Sequence, residues 1–314
     1  MNEKSIKHRG RFSQVFIYLG KLFRMFIYQN DWKVFPMAAI ISGLVCFVVG
    51  RNLFKTQEGT AMGTFALACI CIWNGFFNSI QVICRERAIV KREHRSGMHI
   101  SSYITAHMIY QAFLCLGQTF ITLMVCRITK VSFPTESLIT PWAIADIGIS
   151  LFLITYCADM MALMVSAFVH STTTAMTIMP FLLIFQLVFS GGFFQLEGIA
   201  MKVTNITISK WGLTALCSQG DYNSLPMVTL WNAVAKLQNM EVEGNKPVLE
   251  FMRWAQESGW KEKIMAWSGQ QNQNLVYSFD ADNVLRCWEF LLLFIFIYAF
   301  VAVVCLEFID RDKR

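Results

Sequence analysis

The sequence predicts an all-α membrane protein with six transmembrane helices. Three features point that way. Of the 314 residues, 55% are hydrophobic and only 15% charged, whereas a soluble domain carries roughly a quarter charged residues. The charges are segregated, leaving apolar runs of the length, about 20 residues, that a helix needs to cross the hydrocarbon layer. The densest cationic segment, 84–103, lies between two such runs.

Residues 1–33 come first. Phe12, Val15, Phe16, Leu19, Leu22, Phe23, Phe26 and Ile27 recur at the i, i+3, i+4, i+7 spacing of one helix face. Lys4, Lys7, Arg9, Arg11, Lys21, Arg24 and Lys33 stand around them. This is the pattern of a basic amphipathic helix, lying along the inner membrane surface or packed on a partner. No uninterrupted apolar core marks a cleavable signal. Six spans are expected at 34–50, 61–83, 103–125, 142–169, 175–194 and 287–308. Pro36 is tolerated near the start of the first.

Orientation follows from the short loops. The 84–99 loop carries Arg85, Arg87, Lys91, Arg92 and Arg95 against only Glu86 and Glu93. Loops 51–60 and 127–141 carry Arg51 and Lys55, and Arg127 and Lys130. The chain ends Arg311-Asp312-Lys313-Arg314. Cytoplasmic loops are the ones enriched in Lys and Arg. The 84–99 loop and both termini are therefore expected in the cytoplasm, and 195–286 outside. Residues 195–216 are too polar to span and too apolar for an open loop. They follow Gly191-Gly192, which permits a sharp bend. A re-entrant or interfacial pair of helices fits, because irregular backbone at that depth must be buried in protein or line water. Residues 221–286, with Pro226, Pro247 and a Gln/Asn run at 270–274, suggest a small, mostly helical external cap.

The net charge of +6 is explained by cations at membrane edges and does not require nucleic acid. Cys46, Cys69, Cys71, Cys115, Cys126, Cys157 and Cys305 sit within apolar runs, where cysteine behaves as a small hydrophobe. Cys217 and Cys287 border the outer segment, and a pair between them is one option. No C-x-x-C spacing occurs. His94, His99, His107 and His170 are scattered, so neither a metal site nor a nucleophile–base pair is indicated.

Two strings carry a resemblance. Arg92-Glu93-His94-Arg95-Ser96-Gly97-Met98, followed by Ser101-Ser102-Tyr103, resembles the R-E-x-x-S-G-[MY]…S-x-Y signature after the second span of type-2 ABC exporter membrane domains, as in the eukaryotic G subfamily and its bacterial relatives. Gly191-Gly192-Phe193-Phe194, then Ile208-Ser209-Lys210-Trp211-Gly212-Leu213-Thr214-Ala215-Leu216, is similar to that subfamily's G-F-F…I-S-x-[RK]-[YW]-[GA]-x-x-A-L after the fifth span. The order of elements also matches over nearly the whole chain.

The resemblance implies a connecting helix at 1–33 and a six-span membrane domain at 34–314. It implies a permease subunit that pairs with a second membrane subunit, as homodimer or heterodimer, each resting on an ATP-hydrolysing domain. ATP and Mg2+ would belong to that domain, with no cofactor in this chain. The cargo would be an apolar or amphipathic molecule moved outward across the plasma membrane. The 84–103 segment would be a coupling helix seated in the ATPase, with Arg85, Glu86, Arg87, Arg92, Glu93, His94, Arg95 and Gly97 as its contacts. Alternating Arg and Glu would form ion pairs with the partner and within the helix. Ser96-Gly97 would end the helix before the third span. The competing reading is that these cations only fix topology. Phe185, Phe189, Gly191, Gly192, Phe193 and Phe194 would form the outer gate or cavity wall. The chain departs from the eukaryotic pattern in one respect. A phosphate loop needs G-x-x-x-x-G-K-[ST], and the only Gly-Lys, Gly20-Lys21, is followed by Leu22. The ATPase is thus expected on another polypeptide, which suggests a bacterial source.

Intramembrane polar residues are functional suspects by default. Asp159 lies deep in the fourth span, where it pairs helices or faces a translocation path. Asp146, near the outer end, is placed to reach interfacial water. Asn74, Asn78, Gln111 and Gln118 suit contacts between helices. Phe76, Phe77 and Phe181 are further candidates for a greasy cavity. Two other classes of function stay open: a six-span enzyme acting on lipid with Asp159 and the cap as its site, and a non-transporting membrane scaffold or sensor.

Overall fold

The computed structural model describes residues 10–28, 31–192, 197–237 and 246–308, and all regular structure among them is helical. The helices are α1 (Arg11–Tyr28), α2 (Val34–Val49), α3 (Gln57–Ser79), α4 (Val82–Arg95), α5 (Ile100–Ile128), α6 (Ala143–Phe168), α7 (Thr172–Val188), α8 (Ile199–Thr204), α9 (Ile208–Gln219), α10 (Thr229–Leu237), α11 (Lys246–Glu257), α12 (Trp260–Gln271) and α13 (Ala281–Glu307). Phe193, Phe194, the cations before residue 10 and the basic terminus at 311–314 lie outside the described residues.

Helix α6 is the centre of the bundle. It packs chiefly on α3 and α13, with α5 and α9 filling the remaining sides. Its buried residues fall on every face, among them Ile147, Leu151, Ile154, Ala158 and Leu163. Helices α2 and α13, by contrast, bury only a stripe and expose long apolar faces, as lipid-facing spans do. The α3–α6 contact is close enough to need glycine. A Cβ on Gly75 would stand 2.4 Å from the Thr155 carbonyl oxygen and 2.9 Å from the Ala158 methyl. Small residues that let backbones touch are the usual basis of helix association in membranes.

Among the described residues, five helical stretches are long and apolar enough to cross a membrane: Asp31–Val49, Gln57–Arg95, Ile100–Ile128, Ala143–Phe168 and Ala281–Glu307. The expected fifth span, 175–194, is shorter than read. Helix α7 has 17 residues, a length of about 26 Å at 1.5 Å per residue, less than the hydrocarbon core of about 30 Å. It begins at a Ser171 cap and ends ahead of Gly191, whose φ of 73° turns the chain aside. Helix α9 starts at that end and finishes beside the first turns of α6 and α13. The expected second span ran to Ile83, but α3 stops at Ser79 and Val82 already belongs to α4. The sixth begins earlier than expected, because Asp280 caps α13 through the Asp282 amide.

Helices α10, α11 and α12 form a small unit around Trp231, Met252 and Ala255. It is fastened to the start of α3. Glu58 accepts from the amides of Val228 (3.0 Å) and Thr229 (2.7 Å), and the Gln57 side chain donates to the Gly269 carbonyl (2.9 Å). The elbow made by α4 lies at the opposite end of α3. All ten cysteines are free. Cys217 and Cys287 do not pair; the Cys217 thiol lies 3.1 Å from the Thr64 hydroxyl.

Gly75→Ala is expected to lower the thermal unfolding midpoint in detergent, with a cost of about 1–3 kcal/mol from overpacking. Gly43→Ala in α2, where an added methyl meets nothing within 4 Å, is the control and should not lower it.

Candidate functional site

The elbow is built from three elements that the sequence keeps far apart. Helix α4 has no side-chain cap of its own, since Gln81 makes none. Its first amides, Ile83 and Cys84, donate instead to the Ser166 hydroxyl at the end of α6, at 3.0 and 3.1 Å. One turn further on, Arg87 donates back to the last carbonyls of α6, Ala167 (2.7 Å) and Val169 (3.4 Å). The exchange is reciprocal. Each helix end has orphan backbone groups, and each supplies the side chain that satisfies the other's. A cation beside a helix C-terminus is also favoured by the helix dipole.

The far end of α4 closes with a Schellman motif. The Met98 amide donates to the Glu93 carbonyl (3.0 Å) and the Gly97 amide to that of His94 (3.1 Å). Gly97 takes the left-handed conformation this requires, with φ 101°, and Met98 is buried beneath it. Helix α1 lies along this turn and the start of α5. The Gln14 side chain bridges the Gly97 carbonyl and the His99 amide (3.2 and 2.9 Å), and Ser102 donates to the Arg11 carbonyl (3.0 Å). Tyr18 donates to Glu93 (2.9 Å) and packs edge-on against Tyr103. Burial and the Glu93 carboxylate push the Tyr18 phenol above its ordinary pKa, so it stays protonated and keeps this bond. Lys21 reaches Glu86 at 3.4 Å.

The eight elbow residues singled out in the sequence therefore divide three ways, with Gly97 closing the helix. Glu86, Arg87, Glu93 and His94 are turned into the protein, with His94 Nδ1 lying 3.1 Å from the Met98 carbonyl. Arg85, Arg92 and Arg95 are exposed and share one face of α4 with exposed Ala88 and Ile89. The expectation that Glu86 and Glu93 alternate with arginine along a docking face is corrected: both face α1. The outward face is a cationic stripe around a small apolar centre.

A second junction repeats the logic at the other end of the bundle. Helix α9 also lacks a side-chain cap at Thr207. The buried Gln186 side chain of α7 accepts from its first amides, Ile208 (2.9 Å) and Ser209 (3.2 Å), while Thr207 donates to the Phe189 carbonyl (3.1 Å). Phe185 and Phe189 are half-buried, with ring centroids 4.9 Å apart. Gly192 lies against Leu213 of α9, where a Cβ would meet that side chain at 2.6 Å. Nothing in the sequence marked Ser166 or Gln186. Their one signal is a polar residue inside an apolar span, and the partner amides can be found only in three dimensions.

Of the intramembrane polar residues, Asn78, Gln118 and Asp159 bond between helices. Asn78 and Gln118 exchange hydrogen bonds at 2.9 and 3.1 Å, and Asn74 is buried on the same helix. Asp159 is fully buried and accepts from the Cys115 thiol at 3.7 Å. Asp146 does not reach interfacial water. It is 1% exposed and accepts from the amides of Leu138, Ile139 and Thr140 at 3.0, 3.1 and 2.9 Å, folding the loop before α6 onto its own helix. Phe76 is core, while Phe77 and Phe181 are exposed. Among the described residues, no three His, Cys, Asp or Glu side chains converge on a metal-sized site.

Comparison with known families matches residues 14–218 to the ABC-2 type transporter. No curated protein matches the chain. The matched region runs from α1 into α9 and so contains both junctions.

Ser166→Ala would leave the Ile83 and Cys84 amides without their acceptor, a penalty of about 1–3 kcal/mol. Hydrogen exchange at these two amides is expected to accelerate about tenfold or more, with exchange in the middle of α13 unchanged. Unaltered exchange at both would remove Ser166 from the elbow.

Proposed function

The chain belongs to the ABC-2 type transporter family, a multi-pass membrane component of a transporter, and from that premise we propose that it is the permease subunit of an ATP-driven exporter. An ATPase on a separate chain binds ATP with Mg2+ and closes. The elbow carries that closure to the spans, and an apolar or amphipathic cargo leaves on the far side of the plasma membrane. Both termini and the elbow face the cytoplasm, α1 is the connecting helix of the 1–33 region, and the unit of α10–α12 caps the outside. A second membrane subunit completes the pathway. The segment from Phe185 to Phe194, with its Gly191-Gly192 turn, forms the outer gate.

The observation that carries this reading is the two-sided construction of α4. Its inner side is committed to α6 and α1 through Arg87, Glu86 and Glu93. Its outer side presents Arg85, Arg92 and Arg95 around Ala88 and Ile89. A helix that only fixed topology would need cations at the membrane edge, but not hydrogen bonds that lock it to the central helix. A helix that transmits motion needs both a grip and a docking face, and charged rims set register and on-rate at such interfaces. The apolar flank of α7, with exposed Phe181, Ile184 and Leu187, suits the second membrane subunit.

Arg92→Glu is the direct test. It is expected to weaken ATPase co-purification and lower ATP-dependent export about tenfold, the scale of one reversed interfacial charge, with membrane insertion unchanged. Export at the unmodified rate would take Arg92 out of the interface.

A further inference from the structure

The inner face of the elbow covers a cavity that the transport reading does not use. It holds about 350 Å³ between α1, α3, α4 and α5. Its walls are apolar, polar and, at Asp31, Arg85 and Glu86, charged. Leu22 and Met25 of α1, Phe77 of α3 and Leu114 of α5 supply apolar surface, while His107 and Gln111 of α5 supply polar atoms. Both polar side chains are only 1% exposed. Among the described residues, neither ring nitrogen of His107 has a hydrogen-bond partner, nor has the Gln111 carbonyl oxygen. An unpaired polar group at such burial costs about 1–3 kcal/mol, so a pair of them one helical turn apart, both lining the same cavity, marks a site kept for a ligand. A second cavity of about 250 Å³ shares Val34, Phe77 and Asn78 with the first and continues between α2 and α3 past Met37, Ile41 and Trp73. Its lining is mostly apolar.

The chemistry of the occupant follows from these atoms. A neutral imidazole offers one donor and one acceptor, and the Gln111 oxygen accepts. One hydroxyl answers both, accepting from the imidazole N–H and donating to the amide oxygen. The neutral His107 and Gln111 side chains carry no full charge, so an ionised group held between them would go uncompensated, and an unpaired buried charge is strongly penalised; the charged lining residues Asp31, Arg85 and Glu86 come from the turn before α2 and from α4. The continuation between α2 and α3 suits a hydrocarbon chain. We infer that the paired cavities bind an uncharged, hydroxyl-bearing amphiphile taken from the bilayer, its hydroxyl between His107 and Gln111 and its chain along the α2–α3 cleft. Glu86 of the inner face and Arg85, at the margin between the two faces of α4, line the same cavity, so the ligand sits directly under the elbow. The assignment needs only the membrane bundle and not the transport reading.

The full chain in lipid nanodiscs, without nucleotide, provides the test. The probe is monoolein carrying a diazirine in its acyl chain, cross-linked by light and mapped by mass spectrometry. Labelling is expected at residues of α2 and α3 around Met37, Ile41 and Trp73, and excess plain monoolein should compete it away. Gln111→Leu should cut labelling at least threefold while leaving the unfolding midpoint equal or higher, because it removes an unpaired polar atom. Leu114→Trp, which fills the cavity without touching a polar group, should also block labelling. Oleic acid carrying the same diazirine should label more weakly. Uniform labelling of lipid-facing α13, insensitivity to competitor and to both variants, or equal labelling by the fatty acid would overturn the site. A lowered midpoint in Gln111→Leu with labelling retained would overturn it as well, by making Gln111 structural. Failure of any of these leaves ATP-dependent export untouched.

Discussion

Every helix end buried in this bundle must find partners for backbone groups that its own turns cannot satisfy. Where packed protein shields such a group from water, leaving it unsatisfied costs about 1–3 kcal/mol. Beside local caps such as Ser171 and Asp280, the chain meets the requirement with side chains from other helices. Ser166 of α6 serves α4, Gln186 of α7 serves α9, and Glu58 of α3 serves the start of α10. Asp146 does the same for the loop ahead of its own helix. Each of these bonds joins an end that would otherwise be free to a rigid span, so meeting the backbone's demand also determines which elements move together.

Seen this way, α6 is a rod with a fastening at each end. At one end Ser166 and the carbonyls of Ala167 and Val169 grip the elbow. At the other, the Asp146 carbonyl accepts from Gln219 at the end of α9, and Ser150 bonds both Gln219 and Trp288 of α13. Between them the close α3–α6 contact at Gly75 leaves no slack for sliding. The elbow and the far end of the bundle are therefore joined through packed helices and short hydrogen bonds. The short α7 stands outside this rigid group. It packs more lightly on its neighbours than α3 or α13 does and is held to α9 mainly through Gln186 and Thr207.

The spans were legible because an apolar run of about 20 residues has few other uses, and the 142–169 reading differs from α6 by one residue at each end. The helix break at Gly97 was legible for a local reason: a Schellman turn needs a residue tolerant of positive φ, and Ser-Gly ahead of an apolar Met states it in the sequence. What depends on distant contacts was hidden. The cap at the start of α4 is supplied by Ser166, more than 80 residues away. The inward turn of Glu86 and Glu93 is set by Lys21 and Tyr18. Asp146 appeared to be an interfacial acid because sequence gives depth but not the loop that folds back over it. The fifth span looked longer than it is, because apolarity continues through Val188 and Phe189 while the backbone turns at Gly191.

The central claim is that α4 and the end of α6 form one body. Spin labels on half-buried Lys91 of the elbow, outside the docking face, and exposed Phe168 of α6, in complex with the proposed ATPase, would report their separation with and without ATP trapped by vanadate. One unchanged distance distribution in both states is the expected result. A nucleotide-dependent shift of several ångströms between those two labels would mean that the elbow slides on α6, and the mechanical link described here would not exist.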